Sequence, residues 1–538
     1  MKRIVAVLLL VGAAVPLGAQ TMWDAYNFSQ TDYYGTARSV AMGNAMTAVG
    51  GDLGSVTFNP AGSAVSTYSQ FELTPAITIS STNTVGQALQ ANGSPYCFQN
   101  YEKDASTRFK MPNFGFMLNM DTGRSRGLRN WTFGFVGNAT YNYQNEILAT
   151  GTNQETSLAG ALATEAMGIP QENLMGDWWD TSLNPLPSWR SMLAYRSGLI
   201  DTYDGLTSDY IGVTERLLSG GGIQLADRIN QEFGERRRGN KYDLITNMAF
   251  NISDRFFFGF NMGITSLGYS TQQYWLEQAV SPEKFELEYA AEGGGTKKAH
   301  FDYLNMRYSY EANGAGIYAK AGFLWRVFGG LRLAAAIQTP TAFGITERYG
   351  YDAKVVFVEN EFNQSETSSP QDEWSYNFTS PWLYNVGLAY TIGNFALLSV
   401  DYEHTDYSSM KFRSFDQDFS AVNGQIQENF GESHNFRAGL EVRPVPAVAL
   451  RGGYTYTTCP QKDYVNGERS TMSFGLGYSS NGSFYADLAV RMHYLPEEHL
   501  NIYDDYAYDG DGNLVFPSPT VNINTTLVDA LVTVGWRF

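Results

Sequence analysis

The sequence predicts an all-β chain, a transmembrane antiparallel β-barrel of about 14 strands with a small helical N-terminal hatch plugging the lumen. Three observations predict it: apolar and polar residues alternate with a period of two down the chain, short turns alternate with long polar loops, and a compact glycine-punctuated unit precedes the first strand. Taken in order, these give a signal peptide at 1–20, the hatch at 21–67 and the barrel at 68–538, with a long helical extracellular loop at about 144–241.

The first segment carries Lys2 and Arg3, then an apolar run from Ile4, then the small residues Gly18 and Ala19. This is the plan of a cleavable export signal, so the mature chain is expected outside the cytoplasm. No Cys follows the run, which argues against a lipid anchor, and no later stretch reaches the roughly 18 apolar residues that a spanning helix needs.

In the hatch, residues 37–49 favour helix, Gly50 and Gly51 end it, and Pro60 forces Asn59 into an extended conformation before the chain reverses at Gly62. Small residues (Ala41, Gly43, Ala45, Ala48) allow close packing inside a wall. A free-standing helical cap is the competing expectation for this unit. A lumen of about 14 strands leaks unless it is filled, which gives the hatch a purpose.

The barrel signal is cleanest at the C-terminus, where Val528, Ala530, Val532, Val534 and Trp536 alternate with Asp529, Leu531, Thr533, Gly535 and Arg537. The same alternation marks 434–442, 448–456, 242–252, 256–264, 317–327, 331–337, 395–402, 472–478 and 484–494, and more weakly 71–79, 114–120, 131–143 and 382–392. Each is near the roughly 9 to 11 residues that cross a bilayer at a tilt. An even count lets the sheet close with both ends on one side. Closure matters because an unpaired backbone group in hydrocarbon costs several kcal/mol.

A soluble sandwich is the competing fold. It would leave Lys320, Arg326, Asp401, Glu403, Arg437, Glu441, Arg443, Arg451, Asp487 and Arg491 in a dry core, whereas a polar lumen supplies water or partners. Tyr141, Tyr143, Tyr390, Tyr402, Tyr478 and Trp536 stand near strand ends, as interfacial girdles do. His404 and His434 fall at the rim.

The long loop contains helical stripes, with Trp189, Met192 and Leu193 at helical spacing and Trp178 and Trp179 just upstream. Two expectations stand for them: an apolar groove over the mouth, or helix packing that seals it. Arg236, Arg237 and Arg238 close the loop as a basic cluster, either an anion contact for a fatty-acid carboxylate or lipopolysaccharide phosphate, or a solvated rim. The arm at 21–35 offers Trp23 and Phe28 as apolar ligand contacts.

Other chemistry is sparse. A formal charge of −18 argues against nucleic acid. No metal-binding or catalytic motif is complete: the run at 509–513 lacks the bidentate Glu of a calcium loop, and no nucleophile elbow or zinc helix occurs. Neither a catalytic residue nor a cofactor is expected. Cys97 and Cys459 could pair or stay free.

The run ARSVAMGNAMTAVGGDLGSVTFNPAG resembles the hatch of the FadL-type family of outer-membrane transporters for long-chain fatty acids and other hydrophobic compounds, with its signature at Asn59, Pro60 and Ala61. GAGIYAKAGFLWRV, LRLAAAIQTPTAFGIT and NFRAGLEVRPVPAVALRGGYTY are similar to that family's strands. Two positions depart from it: Gly51-Asp52, where paired acids are common, and Ser63, where an apolar residue is. The resemblance implies a bacterial outer-membrane location, passive uptake of a hydrophobic small molecule by surface capture, lumenal binding and hatch-linked lateral release, and Gly43, Asn59, Pro60, Ala61 and Gly62 as hatch residues. It also implies outer-membrane lipid, lipopolysaccharide and the barrel-assembly machinery as partners. An outer-membrane hydrolase, or an adhesion or structural barrel, is the alternative.

Overall fold

The computed structural model describes residues 20–538 except 87, 90–94, 98–99, 204, 219–221, 291–294, 361–365, 416, 481–482 and 509–513, and gives 88–89, 95–97, 290, 372 and 508 as backbone alone. Its wall has fourteen strands. They are β1 (Gln70–Gly86), β2 (Glu102–Asp121), β3 (Leu128–Asn142), β4 (Ile229–Ile252), β5 (Phe256–Ala279), β6 (Thr296–Arg326), β7 (Leu331–Gln338), β8 (Leu383–Ile392), β9 (Ala396–Asp406), β10 (Glu432–Val445), β11 (Val448–Thr457), β12 (Arg469–Ser479), β13 (Phe484–Tyr494) and β14 (Thr520–Arg537). Each pairs antiparallel with the next. β14 pairs with β1 from Arg537↔Gln70 to Val521↔Gly86 and closes the cylinder. Ser69 and Phe538 exchange backbone hydrogen bonds at 3.1 and 2.9 Å, so both ends of the wall meet on the short-turn rim, as an even count requires.

Every expected strand is present, yet several are far longer than a bilayer crossing. β4 and β5 have 24 residues each and β6 has 31. The ladder continues beyond the membrane because the long strands go on pairing with one another, which satisfies their amides. Past Pro340 and Pro381 the wall carries on as Ala342–Phe357, which pairs with upper β6, and Asp372–Thr379, which pairs with Ala342–Phe357. The expected loop at 144–241 is shortened from both ends, because Asn145–Asn153 and the start of β4 at Ile229 are strand.

The outer face is apolar: Phe260, Met262, Val386, Val400, Phe474 and Leu476 are among the exposed large side chains. Soluble cores do not tolerate such a band, whereas lipid does. Tyr390, Tyr478 and Trp536 lie on it, as girdle residues should. Among the described residues no helix is long and apolar enough to span a membrane.

The inner face is drier than expected. Lys320, Asp401, Glu403, Arg437, Glu441, Arg451, Asp487 and Arg491 are buried, because the N-terminal segment lies against them and they pair with one another. Arg437 meets Glu403 at 3.0 Å, Arg451 meets Glu441 at 2.8 Å and Asp487 at 2.5 Å, and Arg38 from the N-terminal segment adds a bond to Glu441 at 2.9 Å. Charges withdrawn from water need such partners.

Within that segment the single helix expected over 37–49 is broken up. α1 (Met22–Ser29) precedes α2 (Ala37–Ala41), which stops at Met42–Gly43, and α3 (Leu53–Phe58) follows before a 3₁₀ turn at Pro60–Val65. The physical reason is the wall. Gly43 takes a positive φ of 60°, and a Cβ there would stand 2.7 Å from the Tyr454 amide nitrogen, so the chain turns where backbone touches backbone. Residues 1–19, the candidate signal, and 509–513 lie outside the described residues. Cys459 is a free thiol, and the Cys97 side chain also lies outside the description.

Candidate functional site

The hatch signature fastens the N-terminal segment to the wall. Pro60 holds Asn59 extended, at φ −142° and ψ 113°, which aims its amide sideways. Asn59 Nδ2 donates to the carbonyls of Thr47 (2.8 Å) and Phe323 (3.1 Å), while Oδ1 accepts from the Ala61 amide (3.0 Å). Glycine in the facing strands permits the approach: a Cβ on Gly322 would lie 2.0 Å from Asn59 Oδ1, and one on Gly259 2.3 Å from the Ala61 nitrogen. Gly62 O accepts from Gly51 N at 2.9 Å, closing the turn. Asp52 accepts from Thr36 Oγ1 (2.9 Å), and Ser63 Oγ bonds Thr132 Oγ1 (2.8 Å). Both departures from the hatch pattern are thus satisfied locally.

Further along the lumen, α1 sits in a chamber of aromatic rings. Tyr26 stacks on Phe430 (5.2 Å) and meets Tyr407 edge-on (5.5 Å), Trp23 meets Phe430 (5.7 Å), and Phe28 meets Phe378 (5.8 Å). Phe430 follows the helix Ser420–Asn429, which folds over the chamber from a loop. On the strands, Tyr143, Tyr269 and Tyr310 form a chain of edge contacts, and Glu347 accepts from Tyr310 (3.0 Å) and Tyr376 (2.9 Å). Lys241 Nζ donates to the carbonyls of Phe28 (3.1 Å) and Gln30, a cation at a helix C-terminus. Arg469 Nη1 reaches Gln30 Oε1 at 3.2 Å. At the other end of α1, burial pushes the Asp24 carboxyl up to about 6, against the opposing hydrogen bonds from Thr21.

Beside the chamber the wall is interrupted. The β2–β3 ladder runs from Asp121↔Asn130 to Asn113↔Asn138 and stops. The next residue of β2 is Pro112, which has no amide hydrogen to give. On the far side of β2, the β1–β2 register shifts between Thr74 and Ala76, around Pro75. The carbonyls of Ala139 and Thr140, left without β2, accept from the amides of Tyr34 (3.0 Å) and Asp32 (2.7 Å) in the N-terminal arm. Higher up, Asn145–Asn153 pairs with β4 and passes behind the β1–β2 flap: Asn145 Oδ1 accepts from Thr82 (2.8 Å), the Leu148 carbonyl from Thr84, and Glu102 from Thr150 (2.6 Å). Two sheet edges overlap there instead of pairing. Among the described residues no backbone hydrogen bond joins β2 between Glu102 and Pro112 to β3 or to Asn145–Asn153.

The arm is pinned at this seam by charge. Arg491 bridges Asp529 (2.8 Å) and Asp32 (3.1 Å) and lies 4.4 Å over the Tyr34 ring, and His493 bonds Asp529 at 3.0 Å.

The expected ligand contacts divide between two places. Trp23 and Phe28 belong to the chamber. Trp189, Met192 and Leu193 lie on the helix Trp189–Arg196 in the cap over the long-loop rim, all three buried with Leu158, Leu162 and Phe233. Trp178 and Trp179 stand edge-on to Trp189 at 6.0 and 5.0 Å, and of the five only Trp179 is largely exposed. In this conformation the stripe packs helix on helix. Arg236, Arg237 and Arg238 do not converge, because they are consecutive on β4 and point alternately out and in. Arg236 pairs with Glu146 (3.0 Å), while Arg237 turns inward to Glu235 (2.9 Å). Tyr141 and Tyr143, expected in a girdle, face inward and bond Gln30 Oε1 (2.8 Å) and Asn27 O (2.7 Å). Among the described residues no hydrogen bond joins a histidine ring to a serine or cysteine, and no three His, Cys, Asp or Glu groups gather to hold a metal. Sequence reading missed Lys110, Arg469, Tyr310 and Tyr376. Pro75 and Pro112 inside alternating runs were the available signal for the seam.

No family model and no curated protein matches the chain. Among solved structures it is similar to a Pseudomonas aeruginosa FadL homologue, at 11% identity and a TM-score of 0.51, over 94% of this chain and 99% of that one. The toluene transporters TodX of P. putida (12% identity, TM-score 0.47, 95% and 99% covered) and TbuX of Ralstonia pickettii (14%, 0.44, 95% and 100%) are also found. With its closed antiparallel wall, lipid-facing band and inward-folded N-terminus, the chain has the fold of the FadL-type outer-membrane barrels.

Proposed function

We propose that this chain is a passive outer-membrane channel for hydrophobic small molecules, long-chain fatty acids among them, which are captured at the cell surface, bound in the lumen and released sideways through the β2–β3 seam. One observation carries the reading: the segment 28–34 touches both places. Phe28 lies among the chamber rings, and six residues later Tyr34 donates to Ala139 at the seam.

An apolar ligand competes with Trp23, Tyr26 and Phe28 for the same ring faces. Burying one such side chain is worth about 1.5–3 kcal/mol, so a ligand of comparable area displaces α1 without an energy source. Moving α1 pulls the arm, frees the carbonyls of Ala139 and Thr140, and opens the strip of wall that has no ladder to hold it. Release into the bilayer spares the alkyl chain a passage through the charged hatch contacts. On the same reading, Arg236 and Arg238 at the outer rim face lipopolysaccharide phosphates, and the wall is inserted by the barrel-assembly machinery.

The test is a tether across the seam. In a background with Cys97 and Cys459 replaced by serine, Tyr34→Cys with Ala139→Cys should form a disulfide that locks the arm. Uptake of labelled fatty acid and of a monoaromatic hydrocarbon by cells carrying the oxidised protein should be lost and should return on reduction. Equal uptake in both states overturns lateral release. Uptake no greater than in cells lacking the protein, for every apolar ligand tried, overturns the transport reading itself.

A further inference from the structure

Lys110 is unexplained by the fold. It stands on β2 three residues above the last β2–β3 pair, with its side chain turned towards Tyr34 of the arm. Its Nζ is buried and has no hydrogen-bond acceptor. Nζ lies 5.5 Å from the centroid of the Tyr34 ring, which also carries Arg491 at 4.4 Å. The two carboxylates of this cluster are engaged elsewhere, Asp529 by Arg491, His493 and Thr78 and Asp32 by Arg491. One turn of the pleat higher, Arg108 points into the same seam, where it shares Glu146 (3.7 Å) with Arg236 (3.0 Å). Lys110 thus stands at the seam with its ammonium unbonded, while the carboxylates around it, Asp529, Asp32 and Glu146, are engaged by other cations.

A buried ammonium without an acceptor costs several kcal/mol unless something anionic visits it. We propose that Lys110 is a specificity-determining residue which receives the carboxylate of an amphipathic ligand as it enters the seam, so that the channel favours acids over neutral molecules of the same chain length. The proposal rests on the lateral-release reading above. Depth identifies the source of the anion. Lys110 pairs with Ala76, six residues above Gln70 at the short-turn rim. At about 3.4 Å per residue and a tilt near 40°, that is roughly 15 Å up a hydrocarbon band about 25 Å tall. Lipid headgroup phosphates sit well above that level, whereas a transported carboxylate passes through it. A carboxylate at Nζ forms a charge-assisted hydrogen bond and is still held loosely enough to leave.

The experiment measures equilibrium binding of a long-chain fatty acid and of the alcohol of equal length to the purified full-length protein in detergent, for the wild type, Lys110→Met and Lys110→Arg. Heat-modifiable migration on gels checks that each variant is a folded barrel. The expected result is about a tenfold or greater loss of acid affinity in Lys110→Met, less than about a twofold change for the alcohol, and recovery of the acid in Lys110→Arg. Equal losses for acid and alcohol, or no loss for either, overturn the proposal while leaving the channel reading intact. Failure of the wild type to bind either ligand overturns both. Should Lys110→Met not fold, Lys110→Arg and Arg108→Gln decide: unaltered acid preference in Arg108→Gln together with loss of it in Lys110→Arg removes the case for a cationic receiver.

Discussion

Asn59 and Phe323 join the inner segment to the wall: Asn59 Nδ2 donates across to the Phe323 carbonyl at 3.1 Å and also to the Thr47 carbonyl, while Oδ1 accepts from the Ala61 amide. Replacing it with alanine leaves these buried groups without partners, at about 1–3 kcal/mol each. Asn59→Ala should therefore speed hydrogen exchange and proteolysis within 35–66 while the wall keeps its heat-modifiable migration. Wild-type exchange in that segment would show that the contact is dispensable.

Asp32 and Asp529 share one guanidinium, and the two ion pairs differ in what they hold. Asp32→Asn weakens the arm's tie but leaves Arg491 paired with Asp529, so exchange should rise at 30–36 with thermal stability of the barrel nearly unchanged. Arg491→Leu takes the guanidinium from the fully buried Asp529, leaving it His493 and Thr78, and should cost about 3 kcal/mol. Thermal unfolding of the two variants separates tether from structural pair.

Much of the wall was legible because the period-two pattern is a direct consequence of a two-faced strand, so all fourteen strands were placed. Their lengths were not, since alternation weakens once both faces meet water or a cap. Tyr143 shows a second limit. In the β3–β4 ladder Tyr141 pairs with Lys241 but Ala139 with Tyr242, so Thr140 is an extra residue. A bulge of one residue turns every later side chain to the opposite face, and no composition rule announces it. The Asn59-Pro60-Ala61 signature survived intact because its conformation is local. The broken helix after Ala41 did not, because its cause is contact with β11, some four hundred residues away in the chain.

Gly452 and Gly453 offer a paired test of the close fit between segment and wall. A Cβ on Gly453 would stand 2.0 Å from the Gly43 nitrogen, whereas one on Gly452 meets nothing within 4 Å. Neighbours on one strand share propensity and depth, so only the face differs. Gly453→Ala should displace the turn at 42–44 and expose the segment to protease, and Gly452→Ala should be silent. Equal protease patterns for the two would mean that the segment does not bear on β11.

Glu215 makes the cap over the long-loop rim sensitive to pH. Its carboxylate accepts from the Gly212 amide at 2.9 Å and is packed against α4 (Leu158–Ala166), where a Cβ on Gly160 would lie 2.2 Å from Oε1. Burial pushes this group from 4.5 up to about 7, outweighing the hydrogen bonds that favour the anion. The folded cap therefore binds the proton more tightly than the unfolded chain does. Its stabilising contribution is complete below about pH 4.5, falls as pH rises towards 7 and is gone above it. Amides of α4 should be better protected at pH 5 than at pH 8, after correction for intrinsic exchange, and Glu215→Gln should flatten the difference. A pH dependence that survives in Glu215→Gln would assign the titration to another group.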